Sequence, residues 1–503
     1  MVQDLAIIGV DSLDPYVIMR HRSELPTFSK LLAENKNFIS KSVFPVDSIP
    51  AWASIYTGLS PCNHGLLYVY DVFDPHLSDL RKLNIEGFQG STFWDYAGNE
   101  GYRTLVLYPM LMYPPWATNG IMVSKSPFDK RIDDLQTIID VGVYPEFARE
   151  KHQIPQKIKS IWGGYPGHSN LMEWANLGKV SLEVEYEIAK KLLNSEKWDL
   201  LFMYFSLLDI IQHRLWRFYD RNDPMYPGKN NLETIILDYY RKFDGIIGDF
   251  IAAHPQTGLI VLSDHGHKMR PLKTVNINYI MWKQGYLNAR INKRDLLGEV
   301  KKVVMYMADK LNLEHVMMKV VAISPKLTQV SKAIYSSSGS IDKEVSKAYL
   351  STFAGIKSYS FGGIEINREI ISSEEYEKLR DEIIMQLSRV NTTEGDPVVV
   401  WAKKREDLGQ GAFTPDVYPD VVFMLKDDYG VGWDIQSGLY GTAYDHKVAS
   451  GGHNTDAVFF TLNIDKDVIK DQINLVDIAP SILDLLTVDW RRFDFDGRSV
   501  FAR

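Results

Sequence analysis

The sequence holds a single cysteine, Cys62, in 503 residues, so no disulfide can form within the chain. A large chain without disulfides suits a reducing compartment, and a cytoplasmic location is the expectation. Long apolar runs are missing too: no stretch reaches the roughly 18 uninterrupted apolar residues of a membrane span. The opening "MVQDLAIIGVDS" has an acid at position 4 and only a short apolar run, which reads as a buried strand and not as a signal peptide. Positive charge is not in excess either. With a net charge of −8, a dedicated nucleic-acid surface is not expected, because that needs a basic face. The same balance still admits a small phosphorylated substrate held by metal ions. Internal repeats and low-complexity tracts are lacking.

What is present is the composition of a folded protein, 45% hydrophobic and 24% charged. The length asks for more than one domain. "LAIIGVD" (5–11) is a continuous apolar run ending in an acid, as a central parallel strand with function at its carboxyl end would be. "RTLVLYP" (103–109), "WDLLFMYFS" (198–206), "TGLIVLSDHG" (257–266), "PDVVFMLKD" (419–427) and "DAVFFTLN" (456–463) repeat that pattern. Helical stretches lie between them, at "LPTFSKLLAEN", 180–196, 231–254 and 473–486. The alternation predicts a doubly wound α/β fold with a mostly parallel central sheet.

The texture changes over 291–395. An amphipathic basic helix (293–313) is followed by a second Met-rich helical stretch and "YSSSGS" (335–340), a plausible link. "FGGIEINRE" then reads as a loop and "SSEEYEKLRDEIIMQLSRV" as a capped helix. The expected division is a core over 1–290, an inserted, partly helical cap over 291–395 and the rest of the core over 396–503.

Acids and histidines gather where strands end. Asp11 closes the first strand, Asp209 and His213 follow another in "SLLDIIQH", Asp264 and His265 follow a third in "SDHGH", and His453 precedes a strand in "GGHNTDAVFF". Tips of a parallel sheet converge on one edge, which would deliver carboxylates and imidazoles enough for two divalent metals, zinc ahead of manganese. Each piece alone has a plainer use as a turn former, a helix cap or a satisfied histidine. The joint occurrence carries the reading. His267 and His446 lie nearby and are expected to be solvated loop residues, and His64 to shape a turn.

"IIGVDSLDP", "FPVDSIPAWASIYTGLSPCNHG", "DIIQH", "LSDHGH" and "GGHNTDAVFF", in that order, resemble the alkaline phosphatase superfamily. The resemblance is to its type I phosphodiesterase/nucleotide pyrophosphatase branch and related phosphohydrolases. It implies an alkaline phosphatase-like fold and a phosphohydrolase, of phosphodiesterase/nucleotide pyrophosphatase type. By position it implies one metal on Asp209, His213 and His453 and another on Asp11, Asp264 and His265. The family's nucleophile falls on Ser48, which would also ligate a metal and form a phosphoseryl or nucleotidyl-seryl intermediate. Metal coordination would make that hydroxyl a competent nucleophile, and a helix N-terminus beside it favours a phosphate. The plain reading of Ser48 is a helix N-cap, which is compatible with that role.

Departures from the family bear on specificity. The asparagine that nucleotide pyrophosphatases place after the nucleophile helix falls near Val69, with Asn63, Tyr68 or Tyr70 as substitutes. Cys62 in "SPCNHG" lacks the C-x-P-x-R pattern of sulfatases and reads as a small buried residue. Cofactor-independent phosphoglycerate mutases carry their insertion earlier, so a mutase is disfavoured. A phosphomutase or phosphotransferase of the same superfamily is the alternative, and a non-catalytic metal- or phosphate-binding module is the reading from another class.

Overall fold

Five of the six short apolar runs form the middle of one sheet, and their position in it sets where the polar tips meet. The computed structural model describes residues 4–66, 85–124, 171–289, 341–435 and 438–501, apart from 111, 113–114, 355–357, 393, 415–417, 444–445 and 447–448. Leu5–Val10 is buried along its whole length, as a strand covered on both faces must be. It pairs in parallel with Leu200–Phe205 on one side and Gly258–Leu262 on the other. The full sheet has eight strands, in the order Ile473–Asn474, Ile39–Lys41, Asp456–Leu462, Gly258–Leu262, Leu5–Val10, Leu200–Phe205, Thr104–Leu107 and Gly120–Val123. Only Asp456–Leu462 runs against its neighbours.

Alternate residues of the central strand feed two apolar layers. Ala6, Ile8 and Val10 pack with the helices Pro26–Glu34, Leu171–Ser195, Leu207–Tyr219 and Ile235–Ala253. Leu5 and Ile7 pack with Ser48–Thr57, Phe93–Asn99 and Ile478–Leu485 on the other face. Helices on both faces of a mostly parallel sheet make the fold doubly wound α/β, as expected.

A second, antiparallel sheet joins Val399–Lys404, Val421–Leu425, Phe361–Ile366 and Ala348–Leu350. Helix Ser373–Ser388 packs on it, started by the expected capping box of Ser372 and Glu375. Phe361–Ile366, the first six residues of "FGGIEINRE", is therefore a strand and not a loop. Its glycines hid the alternation: a Cβ on Gly362 would meet Phe423 at 2.6 Å and one on Gly363 would meet Pro419 at 2.0 Å. The strand expected in 419–427 forms, but in this sheet and not the central one. An inserted cap over 291–395 remains our proposal for the division of the chain; the basic helix at 293–313 and the link at 335–340 lie outside the described residues.

An aromatic cluster ties the segment before Ser48 to the second sheet. Phe44 packs against Phe353, Phe361, Trp401 and Tyr418, and the Tyr418 hydroxyl donates to the Phe44 carbonyl at 2.6 Å. Burying such rings anchors the segment that leads into Ser48.

Candidate active site

Ser48 opens the helix Ser48–Thr57, every residue of which is buried. Asp47 is the cap, accepting from the Ile49 amide at 3.3 Å. The capping role considered for Ser48 thus belongs to its neighbour, because the aspartate is the residue with extended backbone and a carboxylate in reach. Pro50 is tolerated in the first turn, where no N–H is needed for the helix ladder, and Gly58 ends the helix at φ 68°. The Ser48 hydroxyl is left for other partners. It lies 3.0 Å from His265 Nε2 and 3.3 Å from Asp11 Oδ1.

The six other residues singled out in the sequence fall into two groups of three, Asp209–His213–His453 and Asp11–Asp264–His265. Within each group one atom per residue lies within 4.8 Å of the others. Asp11 and Asp264 come from adjacent strand ends, while Asp209 and His213 are one turn apart on Leu207–Tyr219. His453 sits on Gly451–Asn454, which pairs with Gly266–Met269 and sets His453 opposite His267. The rings of His265 and His453 stack at 3.9 Å between centroids, so the two groups adjoin.

Their proton positions argue for cations. His213 Nδ1 is 2.8 Å from the Gly451 carbonyl, His453 Nδ1 2.8 Å from that of Val46 and His265 Nδ1 3.0 Å from that of Gly266. These carbonyls favour the hydrogen on each Nδ1, which turns each Nε2 toward the site. Yet His213 Nε2 and His453 Nε2 face each other at 3.0 Å, with Asp209 Oδ1 at 3.2 and 3.7 Å. Two imidazole nitrogens and a carboxylate oxygen converging at these distances are a ligand set that suits a divalent cation. His265 Nε2 likewise faces Asp264 Oδ2 at 3.2 Å, an oxygen fully buried and without a hydrogen-bond partner. A Ser–His–Asp triad would put its acid at Nδ1; here the carboxylate sits on the Nε2 side, so the residues fit metal ligation better than general-base catalysis.

Burial pushes the Asp11 carboxyl up to about 8, and the neighbouring Asp264 carboxylate adds to the rise. Asp264 is itself pushed well above the usual range, first by burial. Two facing carboxylates in a dry site need positive charge to stay ionised.

Several participants gave no sign in the sequence. The Tyr204 hydroxyl donates to Asp11 Oδ2 at 2.5 Å and the Trp52 indole to the same oxygen at 3.2 Å. Ser12, at φ 63°, donates its amide to Asp264 Oδ1 at 3.1 Å, and Gln212 Nε2 donates to the Ser12 carbonyl at 2.8 Å. Aromatic residues in a strand or an apolar helix look like core, and only the tertiary fold reveals the polar end of the ring.

Two expectations are overturned. His267 is buried, not solvated, with Nδ1 2.7 Å from Ser12 Oγ and its amide donating to Asp14 Oδ2 at 3.0 Å. His446 is also fully buried, its Nε2 2.9 Å from the Asp223 carboxylate. Strand pairing and a carboxylate partner distant in sequence took both out of water. Cys62 is buried as expected. Asn63 donates to Asp496 at 2.8 Å; Tyr68, Val69 and Tyr70 lie outside the described residues.

His64 props the helix Ser48–Thr57, with Nε2 3.1 Å from Ser54 Oγ and Nδ1 accepting the Leu66 amide at 3.0 Å. Ser54 so bonds to the turn beyond its helix, whereas Thr57 bonds back to Ala53. Burial lowers the His64 pKa from 6.5 to about 3. The unfolded chain takes up a proton that the native site refuses, so this stability is present above pH 6.5 and lost as pH falls toward 3. The whole window is worth on the order of a few kcal/mol. Urea midpoints measured across it should fall less steeply with acid in His64→Gln than in the wild type.

The sequence profile described as type I phosphodiesterase / nucleotide pyrophosphatase matches residues 5–451. No curated protein matches the sequence significantly. Among solved structures, murine ectonucleotide pyrophosphatase / phosphodiesterase 5, as an inactive variant in complex with AMP, aligns at 12% identity and a TM-score of 0.49, covering 99% of this chain and 100% of that one. The human ectonucleotide pyrophosphatase / phosphodiesterase 5 aligns at 12% identity and 0.48, covering 100% of both.

Proposed function

Because the chain belongs to the type I phosphodiesterase/nucleotide pyrophosphatase family, a metal-dependent family of hydrolases cleaving phosphodiester or pyrophosphate bonds, we propose that Ser48 is its nucleophile and that two divalent cations serve the reaction. The observation that carries this reading is the convergence of imidazole Nε2 atoms and carboxylate oxygens in two adjoining groups beside the Ser48 hydroxyl. Asp209, His213 and His453 would hold one cation, and Asp11, Asp264, His265 and Ser48 the other. When bound, the cations would lower the pKa of the serine hydroxyl and stabilise charge on the leaving oxygen.

The chain supplies the rest. Ser48 Oγ attacks phosphorus in line; its bond to phosphorus forms as the bond to the leaving oxygen breaks. A phosphoseryl or nucleotidyl-seryl ester results, and attack by water releases it. Asp47, by capping the helix, keeps Ser48 in the first turn, where the helix dipole favours the phosphoryl oxygens. Three imidazoles and three carboxylates suit zinc ahead of manganese. The single cysteine supports a proposed cytoplasmic setting. Among the described residues no helix is long and apolar enough to cross a membrane.

Hydrolysis of a panel of chromogenic phosphate mono- and diesters, with zinc and manganese varied, tests the reading. Diesterase activity that needs metal is the expected result. Metal-independent activity, or none on any ester with metal bound, would count against it. Transfer to an added alcohol, seen in the products, would turn the enzyme into a phosphotransferase.

A further inference from the structure

The carboxylate of Asp11 is held by two aromatic donors, one of which rides on the nucleophile's own helix. Tyr204 and Trp52 both donate to Oδ2, at 2.5 and 3.2 Å. Oδ1 is thereby turned toward Ser48 Oγ at 3.3 Å and His265 Nε2 at 3.8 Å. Trp52 lies four residues beyond Ser48, one turn along the same face. Its ring meets that of Tyr204 edge-on at 4.8 Å. Both side chains are buried, Trp52 at 0% and Tyr204 at 3% exposure, so neither donor has water as an alternative.

The space for this clamp is made in the central strand. Gly9 and Asp11 point to the same face, two residues apart, and Gly9 is the register partner of Tyr204. A Cβ on Gly9 would meet Trp52 Cη2 at 2.6 Å and Cζ3 at 3.0 Å. The glycine of "IIGVD" therefore leaves room for the indole against the strand, where it reaches Asp11.

We infer that Tyr204 and Trp52 are positioning residues that fix which oxygen of Asp11 is offered to the cation site and set that oxygen's distance to Ser48. The inference rests on the functional reading above. Residues that hydrogen-bond metal ligands from behind typically control affinity or activity by about 10- to 100-fold. The clamp touches one group of three and not the other, so its effect should be selective.

The test is titration of the metal-free protein with zinc and with cobalt(II), following heat and the cobalt absorption bands. Asp264→Ala marks which binding step belongs to the Asp11 group. Tyr204→Phe removes only a hydroxyl, and should weaken that step by about 10- to 100-fold while the other stays as in the wild type. Trp52→Phe keeps an aromatic ring and should act in the same direction. In turnover, kcat of Tyr204→Phe should fall while KM holds, because the misplaced group is at the reacting atoms. Unchanged binding at both steps in Tyr204→Phe, or equal weakening of both, overturns the inference alone. A wild-type protein with no binding step at the Asp11 group overturns the functional reading and the inference with it.

Discussion

Ser48→Ala is expected to lose about 10³-fold or more of phosphodiester hydrolysis while keeping its fold and the cation on Asp209, His213 and His453. The structure separates this from a stability effect. Asp47 caps the helix, so deleting the Ser48 hydroxyl removes no cap, whereas Asp47→Ala should cost about 1 kcal/mol of stability. A Ser48 that only shaped the turn would show the opposite pattern, with little change in kcat. Denaturant midpoints, metal content and kcat measured on both variants distinguish the two, and the loss of kcat should appear in Ser48→Ala without a matching loss of stability.

Removing metal is expected to have an effect of similar size. Treatment with a chelator should bring hydrolysis to background, and zinc or manganese should restore it. The two groups of three hold their acceptors face to face, so the metal-free protein should also be less stable. A cation at 1,000 times its Kd contributes about 4 kcal/mol. The pH dependence has a definite sign. The Asp11 carboxyl stands at about 8 in the folded chain against an ordinary 3.8, so between those values the native metal-free protein holds a proton the unfolded one has released. Its contribution to stability is then present at low pH and lost as pH rises through about 8. Thermal melts should therefore show a larger gain from added metal at pH 8 than at pH 5. A gain that is equal at both pH values would mean that Asp11 does not titrate in this way.

Much of the central sheet was legible because a strand buried on both faces must be apolar throughout, and six such runs stood out. Five of them entered the central sheet. The sixth, Val421–Leu425, went to the second sheet, since periodicity reports burial and not which sheet does the burying. "FGGIEI" was missed for a related reason: its glycines accept Phe423 and Pro419 from neighbouring segments, and a missing side chain leaves no alternation to read. The grouping of Asp11, Asp209, His213, Asp264, His265 and His453 into two sets followed the resemblance, and strand ends and a helical turn account for it physically. Trp52 and Tyr204 were illegible because a ring contributes apolar area along most of its length and one polar atom at its edge. His267 and His446 were misread as solvated because their partners, Ser12 and Asp223, are far away in sequence.

The central claim is a double displacement through Ser48, and stereochemistry at phosphorus tests it most directly. Each in-line attack inverts the phosphorus centre, so two in succession restore it. Hydrolysis of a single diastereomer of a chiral phosphorothioate diester in oxygen-18 water should give product with net retention. Net inversion would mean direct attack by water, and would contradict a seryl ester intermediate.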